Sequence, residues 1–196
     1  MTAPPVPRVV EAGLRAFQCA YERYVEEPFR LGQFAVVREG PCFVAGVVTD
    51  AISGPEDPSR PLLPRGAAGQ TAAEVMAGNP EIRLLLRTRV SVVSCGHIEG
   101  EVARASLPPL PPPLLARVEP ATAAEVVRLT GDCAFLALLA GAPGCDDAAV
   151  AAAVRAAASV FGPGAHEFTV RAGKELARLL RAEPARLTSI VRGIGA

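Results

Sequence analysis

The chain has 196 residues and 20 Lys+Arg against 20 Asp+Glu, a formal net charge of zero. That balance supplies no general field to draw the protein onto nucleic acid or an anionic membrane, so any such contact needs a local patch. A hydrophobic share of 50% is too high for a disordered chain, and the length suits one ordinary domain or two small ones. The charge balance also holds locally. Residues 1–119 carry 12 basic and 13 acidic groups and residues 120–196 carry 8 and 7, so neither part is a basic domain masked by an acidic one.

The opening run Met1-Thr2-Ala3-Pro4-Pro5-Val6-Pro7 has neither a basic nor an apolar segment of the signal-peptide type. No stretch approaches the roughly 18–20 apolar residues that a membrane span needs. The five cysteines, Cys19, Cys42, Cys95, Cys133 and Cys145, are odd in number, scattered and mostly set in apolar runs, without any C-x-x-C pair. They read as buried free thiols in a reducing cytoplasm, not as a zinc site or a disulfide frame.

In chain order, Val9 to Tyr24 comes first. Val10, Leu14, Phe17, Tyr21 and Tyr24 fit a helix, and Phe17, Cys19 and Tyr21 also fit alternation; periodicity favours the helix. Leu31–Arg38 and Cys42–Thr49, joined through Glu39-Gly40-Pro41, predict a hairpin. Pro55 to Gly69 reads as a loop. Thr71-Ala72-Ala73-Glu74 then opens a short helix with a capping box, closed by Asn79-Pro80, and a further helical turn or two leads to Leu86. Thr88 to Ile98 predicts a longer strand, with Glu99-Gly100 turning the chain into Val102–Leu107. Several short strands with close turns and no alternating helices suggest a small antiparallel barrel.

Leu107-Pro108-Pro109-Leu110-Pro111-Pro112-Pro113 predicts polyproline II and serves as a stiff connector, although its P-x-x-P spacing also matches ligands of SH3-like grooves. Beyond Pro120 the texture is helical. Thr122 with Glu125 predicts a capped helix to Thr130; Asp132 is expected to cap Cys133–Ala140, ended by Gly141. An Ala-rich helix starts at Asp146 or Asp147 and runs to Val160, where Phe161-Gly162-Pro163-Gly164 stops it. Two last helices are expected over His166–Arg181 and Pro184–Arg192, with Leu176, Leu179, Leu180, Leu187, Ile190 and Val191 as core. The expected fold class is therefore α+β. A barrel occupies residues 1–119, with inserted helices at about 71–87 and the connector at 107–113, and a helical bundle occupies residues 120–196.

Few groupings suggest chemistry. Arg171, Lys174, Arg178 and Arg181, spaced three, four and three, form a basic stripe on one helix face that an anion or acidic partner could follow, with Glu167 and Glu175 in pairing reach. Ala172-Gly173-Lys174-Glu175 is not a phosphate loop: Phe168 stands where the earlier Gly belongs, and Glu175 follows the Lys. Cys95-Gly96-His97 is the one close Cys and His, without a third ligand or an orienting acid; His97 is expected at a strand end, facing water or bonding backbone. Asp50, Glu99 and Glu101 are expected to flank turns, with no sign of convergence on a site. No catalytic residue, metal or cofactor is expected.

Val9-Val10-Glu11-Ala12 through Phe17-Gln18-Cys19-Ala20-Tyr21-Glu22, and then Pro28-Phe29-Arg30-Leu31-Gly32, resemble the opening of HAS-barrel proteins. So do Val44-Ala45-Gly46-Val47-Val48, Asn79-Pro80 with Leu85-Leu86-Arg87-Thr88, Gly96-His97, Leu107-Pro108-Pro109 with Pro111-Pro112, and the run from Val170 to Leu180. The resemblance spans nearly the whole chain and rests on the order and spacing of these segments. It implies a barrel like those at the N-termini of HerA-type DNA-translocating ATPases and of rotary ATP synthase subunits, where the barrel serves assembly and docking. It also implies that Val9–Tyr21 is strand. The chain lacks the nucleotide-binding domain of the large ATPases, so their activity is not implied, and Gly13-Leu14 stands where relatives tend to be Thr-rich.

The function expected on these grounds is a non-catalytic adaptor docking on a protein such as a HerA-like ATPase or a nuclease of DNA repair, with self-association left open. The alternative is a nucleic-acid-binding module using the barrel face or the Arg171–Arg181 stripe. Zero net charge and a 5% aromatic share weigh against it, because single-strand binding relies on stacking platforms and a basic groove.

Overall fold

Residues 5–57 and 59–195 are described by the structure, a computed structural model. The N-terminal run is not a helix. It forms an antiparallel pair, β1 (Arg8–Ala12) and β2 (Ala16–Ala20), with Val9 opposite Cys19 and Ala12 opposite Phe17. Burial decides the matter against periodicity: Phe17, Cys19 and Tyr21 are buried, whereas Val10 and Leu14 of the supposed helical stripe are 47% and 43% exposed. The single strand implied over Val9–Tyr21 is likewise two, because the chain reverses at Gly13, whose N–H donates to the Ala16 carbonyl at 2.9 Å.

The predicted hairpin is present as β3 (Phe34–Val37) and β4 (Phe43–Pro55). Two short helices, α1 (Ala72–Gly78) and α2 (Ile82–Leu85), precede the long β5 (Leu86–Glu99); β6 (Val102–Arg104) and β7 (Glu119–Pro120) follow. The strands make one antiparallel sheet in the order β1-β2-β5-β4-β3-β7, with β6 added alongside β5. Strand pairing does not close this sheet into the expected barrel. Between its edges runs the segment after the prolines, which exchanges Val9 N–H to Ala116 O, Leu115 N–H to Val9 O and Val118 N–H to Pro7 O, with a single bridge between Arg8 and Arg117. A continuous ladder fails there because proline lacks the donor and Leu115 sits at φ 64°, outside strand geometry.

Two cores lie on opposite faces of the sheet. Val9, Phe17, Cys19, Ala35, Val37, Val44, Val48, Val90 and Val92 fill the inner, concave side. Phe34, Val36, Ala45, Val47, Val93, Cys95 and Ile98 face outward onto the helices. Every residue of β3 is therefore buried, alternating between the two cores as the two-residue period of a strand requires. Two bulges in the β4–β5 ladder, which leave Thr49 and Cys95 without opposed partners, adjust this alternation.

The helices on the outer face are α3 (Ala123–Thr130), α4 (Phe135–Ala140) and α5 (Asp147–Val160), and α6 (Ala165–Leu179) and α7 (Pro184–Ile194) pack against them, with a 3-10 turn at Gly162–Gly164. The capping boxes read at Thr71/Glu74 and Thr122/Glu125 both form, and Asp146 caps α5 by accepting the Ala149 N–H at 2.7 Å. Asp132 does not start a helix at Cys133. Its carboxylate accepts the Ala134 N–H at 2.9 Å, but Cys133 adopts φ 61°, so α4 begins at Phe135. Of the expected core, Leu176, Leu180 and Ile190 are buried, Leu179 and Leu187 pack at its margin, and Val191 is 49% exposed.

Beyond the shared core, two close contacts tie sheet to helices. At Gly32 (φ 80°) the backbone runs so close to α5 that an added Cβ would lie 2.4 Å from the Ala152 carbonyl carbon. Just past β3, Arg38 binds Glu125 through Nε (3.1 Å) and Nη2 (2.7 Å), and Glu119 through Nη1 (2.5 Å). The Glu125 carboxylate also accepts from Thr122 N–H (2.7 Å) and Oγ1 (2.9 Å). Burial alone would push its carboxyl up, but the Arg38 and Thr122 donors outweigh this and hold it below the usual carboxylate value.

Candidate functional site

The stripe anticipated on the last long helix is interrupted. Arg171 pairs with Glu167 at 3.4 Å, and Arg178 makes a two-pronged contact with Glu175 at 2.9 and 2.6 Å. Lys174 is exposed on α6 with no ion pair among the described residues, while Arg181 lies beyond the helix end at Leu179. Four cations in register thus become two neutralised pairs, one lysine and one arginine off the helix. The Ala172–Glu175 run sits inside α6, so its backbone N–H groups are committed to the helix and cannot cradle a phosphate.

The other candidates do not converge. His97 is buried on β5, its Nδ1 donating to the Ser106 carbonyl at 3.1 Å, with Glu99 Oε1 3.6 Å from Nε2 and Arg104 holding the other Glu99 oxygen at 3.4 Å. The histidine therefore bonds backbone, one of its two expected roles. Asp50 does not flank a turn. It lies within β4 at a bulge, its carboxylate accepting the Ala51 N–H, and lines a cleft of about 290 Å³ with Glu11, Gln18 and Ser91 beside Pro143-Gly144. His97 and Glu99 do not line that cleft. Among the described residues no three His, Cys, Asp or Glu side chains come together to hold a metal ion. All five cysteines are free and buried, and burial pushes the thiols of Cys19, Cys95 and Cys145 up to about 12, far from the thiolate form a nucleophile needs.

The polyproline segment presents no complete P-x-x-P face. Pro108 and Pro112 are buried while Pro109 and Pro111 are exposed, so each of the two P-x-x-P frames has one proline turned into the protein. An SH3-like groove needs both.

What residue-by-residue inspection missed is an arm. Between β4 and β5 the chain leaves the sheet, and residues 59–74 are exposed throughout. Helix α1 buries no residue and α2 buries only Ile82. Leu62, Leu63, Leu84 and Leu85 are 49%, 69%, 59% and 57% exposed. Ion pairs tie the arm at its base, Arg83 to Glu26 at 2.9 Å and Arg87 to Glu56 at 2.8 Å. Its signal in the sequence is the Leu62-Leu63 pair inside a stretch otherwise rich in Pro, Gly, Ser and Arg.

Among the described residues no helix is long and apolar enough to cross a membrane. No protein-family model matches the chain, and no curated protein matches it.

Proposed function

We propose that this protein acts by docking on another protein and carries out no chemistry of its own. The observation that supports this is the arm: an excursion with four exposed leucines and a helix without a single buried residue, in which only Ile82 of α2 is buried, adds little to the core. Burying one such leucine on a partner is worth roughly 1.5–3 kcal/mol relative to leaving it in water. The dispersal of His97, Asp50 and the thiols, and the burial that pushes the Cys19, Cys95 and Cys145 thiols up, accord with a non-catalytic role. The resemblance to HAS barrels, which serve assembly, points to a HerA-like ATPase or a nuclease of DNA repair in the cytoplasm as the partner. Recognition of nucleic acid along Arg171–Arg181 draws less support, because Glu167 and Glu175 neutralise half the stripe.

The test is affinity capture from the native host with the intact chain and with a variant whose residues 59–81 are replaced by a short Gly/Ser linker and whose Leu84 and Leu85 are changed to Ser. The intact chain is expected to retain an ATPase or nuclease that the armless variant loses, while both melt at the same temperature. Recovery of neither enzyme by the intact chain overturns the assignment of the partner, and equal capture by both overturns the assignment of the surface.

A further inference from the structure

A second surface has a different character. Between the lead-in to β3 and the exposed side of α5 runs a groove of about 660 Å³. Its floor and walls are Leu31, Phe34, Val126, Ala152, Ala156 and Val160, and two guanidiniums flank it, Arg30 from the sheet side and Arg155 from the helix side. No carboxylate lines it. Nine arginines of the chain sit in ion pairs, and Arg30 and Arg155 are among the ten that have no acidic partner among the described residues; what sets these two apart is that both line the same apolar groove. Glu125, next in sequence to the lining residue Val126, is engaged by Arg38. Arg155 donates to the Gly193 carbonyl, which fixes the side chain and leaves most of its five N–H donors unused. The Arg30 backbone N–H is held by Gln33 Oε1 at 3.0 Å, which sets the residue at the groove lip beside Leu31, 47% exposed. Ala152, Ala156 and Ser159 keep the α5 wall low, so the concavity is shallow and open, shaped for a length of chain.

We infer that this groove receives an acidic, apolar peptide segment of a partner protein: leucine-like side chains against Phe34, Val126 and Ala156, and carboxylates on Arg30 and Arg155. Charge complementarity selects the occupant, because two unpaired guanidiniums flanking an apolar floor match carboxylates flanking an apolar stem and repel a basic one. The site does not depend on the arm, so the two assignments fail separately.

The probe is a fluorescein-labelled peptide EELLEE, followed by anisotropy at low salt, with KKLLKK and EESSEE as controls. EELLEE is expected to bind and to weaken as salt rises, and both controls are expected to bind far less. Ser159→Glu places a carboxylate one helical turn from Arg155 at an exposed position that suits a helix, and is expected to weaken EELLEE by about tenfold with no change in melting temperature. Arg30→Glu is expected to do the same. Replacement of residues 59–81 leaves the binding intact. The inference is overturned if EELLEE does not bind, if EESSEE or KKLLKK binds equally well, or if neither substitution weakens binding. It is also overturned if a short single-stranded DNA competes for the same site more strongly than EELLEE.

Discussion

Replacing Arg38 by Met tests the junction between sheet and helices. The substitution keeps a long apolar stem and removes the guanidinium, leaving the Glu125 carboxylate, whose side chain is 8% exposed, without its counter-charge. Removing one member of a buried pair typically costs about 3–5 kcal/mol. Two features lower the figure here. Glu125 keeps its two hydrogen bonds from Thr122, and the Arg38 side chain is 27% exposed, so water can reach the space it leaves. The companion pair with Glu119, 41% exposed, adds at most a few tenths of a kcal/mol. The expected loss is about 2–3 kcal/mol, or a fall of roughly 5–10 °C in melting temperature for a chain of this size. Urea unfolding followed by far-ultraviolet circular dichroism suits a protein with no Trp and two Tyr. The second arm of the experiment is the cycle with Glu125→Gln. The Gln side chain brings no buried charge, so the double variant is expected to be more stable than the two single losses predict by at least about 1 kcal/mol. A loss below about 0.5 kcal/mol for Arg38→Met, or additivity within that margin, would refute the view that this pair clamps the two layers.

Gly32→Ala is expected to cost about 2–4 kcal/mol, combining the strain of φ 80° with a Cβ driven against the Ala152 backbone, and the urea midpoint measures it. Because the Glu125 carboxyl is held below its usual value in the folded protein, it binds a proton less readily folded than unfolded. Its contribution is therefore present above the ordinary carboxylate range and lost as pH falls through the folded value. Urea midpoints taken from about pH 7 to about pH 3 should accordingly fall less steeply at the acid end in Glu125→Gln than in the wild type. Native protein at mildly alkaline pH should react negligibly with a thiol-specific disulfide reagent, and urea should release all five thiols; prompt labelling of the native chain would contradict their burial.

Local chemistry was legible in the sequence wherever a side chain acts on its own backbone. The Thr71/Glu74 and Thr122/Glu125 boxes and the Asp146 cap depend on residues within one helical turn, and all three form where the pattern placed them. The N-terminal segment was not legible, because helix and alternation patterns overlap in it and the decision rests on Phe17 and Cys19 meeting Val90 and Val92, more than seventy residues away. Cys133 misled for a similar reason: an acid before an apolar run resembles a helix start unless the positive φ that follows is known. The Arg171–Arg181 spacing placed most of the stripe on one helix, but the side chains' preference for Glu167 and Glu175 over solvent depends on rotamers. The Arg30–Arg155 groove unites residues from both layers, and no local pattern in the sequence links them.

The strand Phe34–Val37 has a consequence for how the molecule comes apart. Its four residues divide between the concave core and the helix-facing core, so neither core can open while the strand holds its place between β4 and β7. The two cores are bound into one cooperative unit, and the amides of β3 and its neighbour β4 should be among the last in the chain to exchange with solvent deuterium. The arm, lacking any such double anchorage, can melt and re-form many times within the lifetime of the native fold.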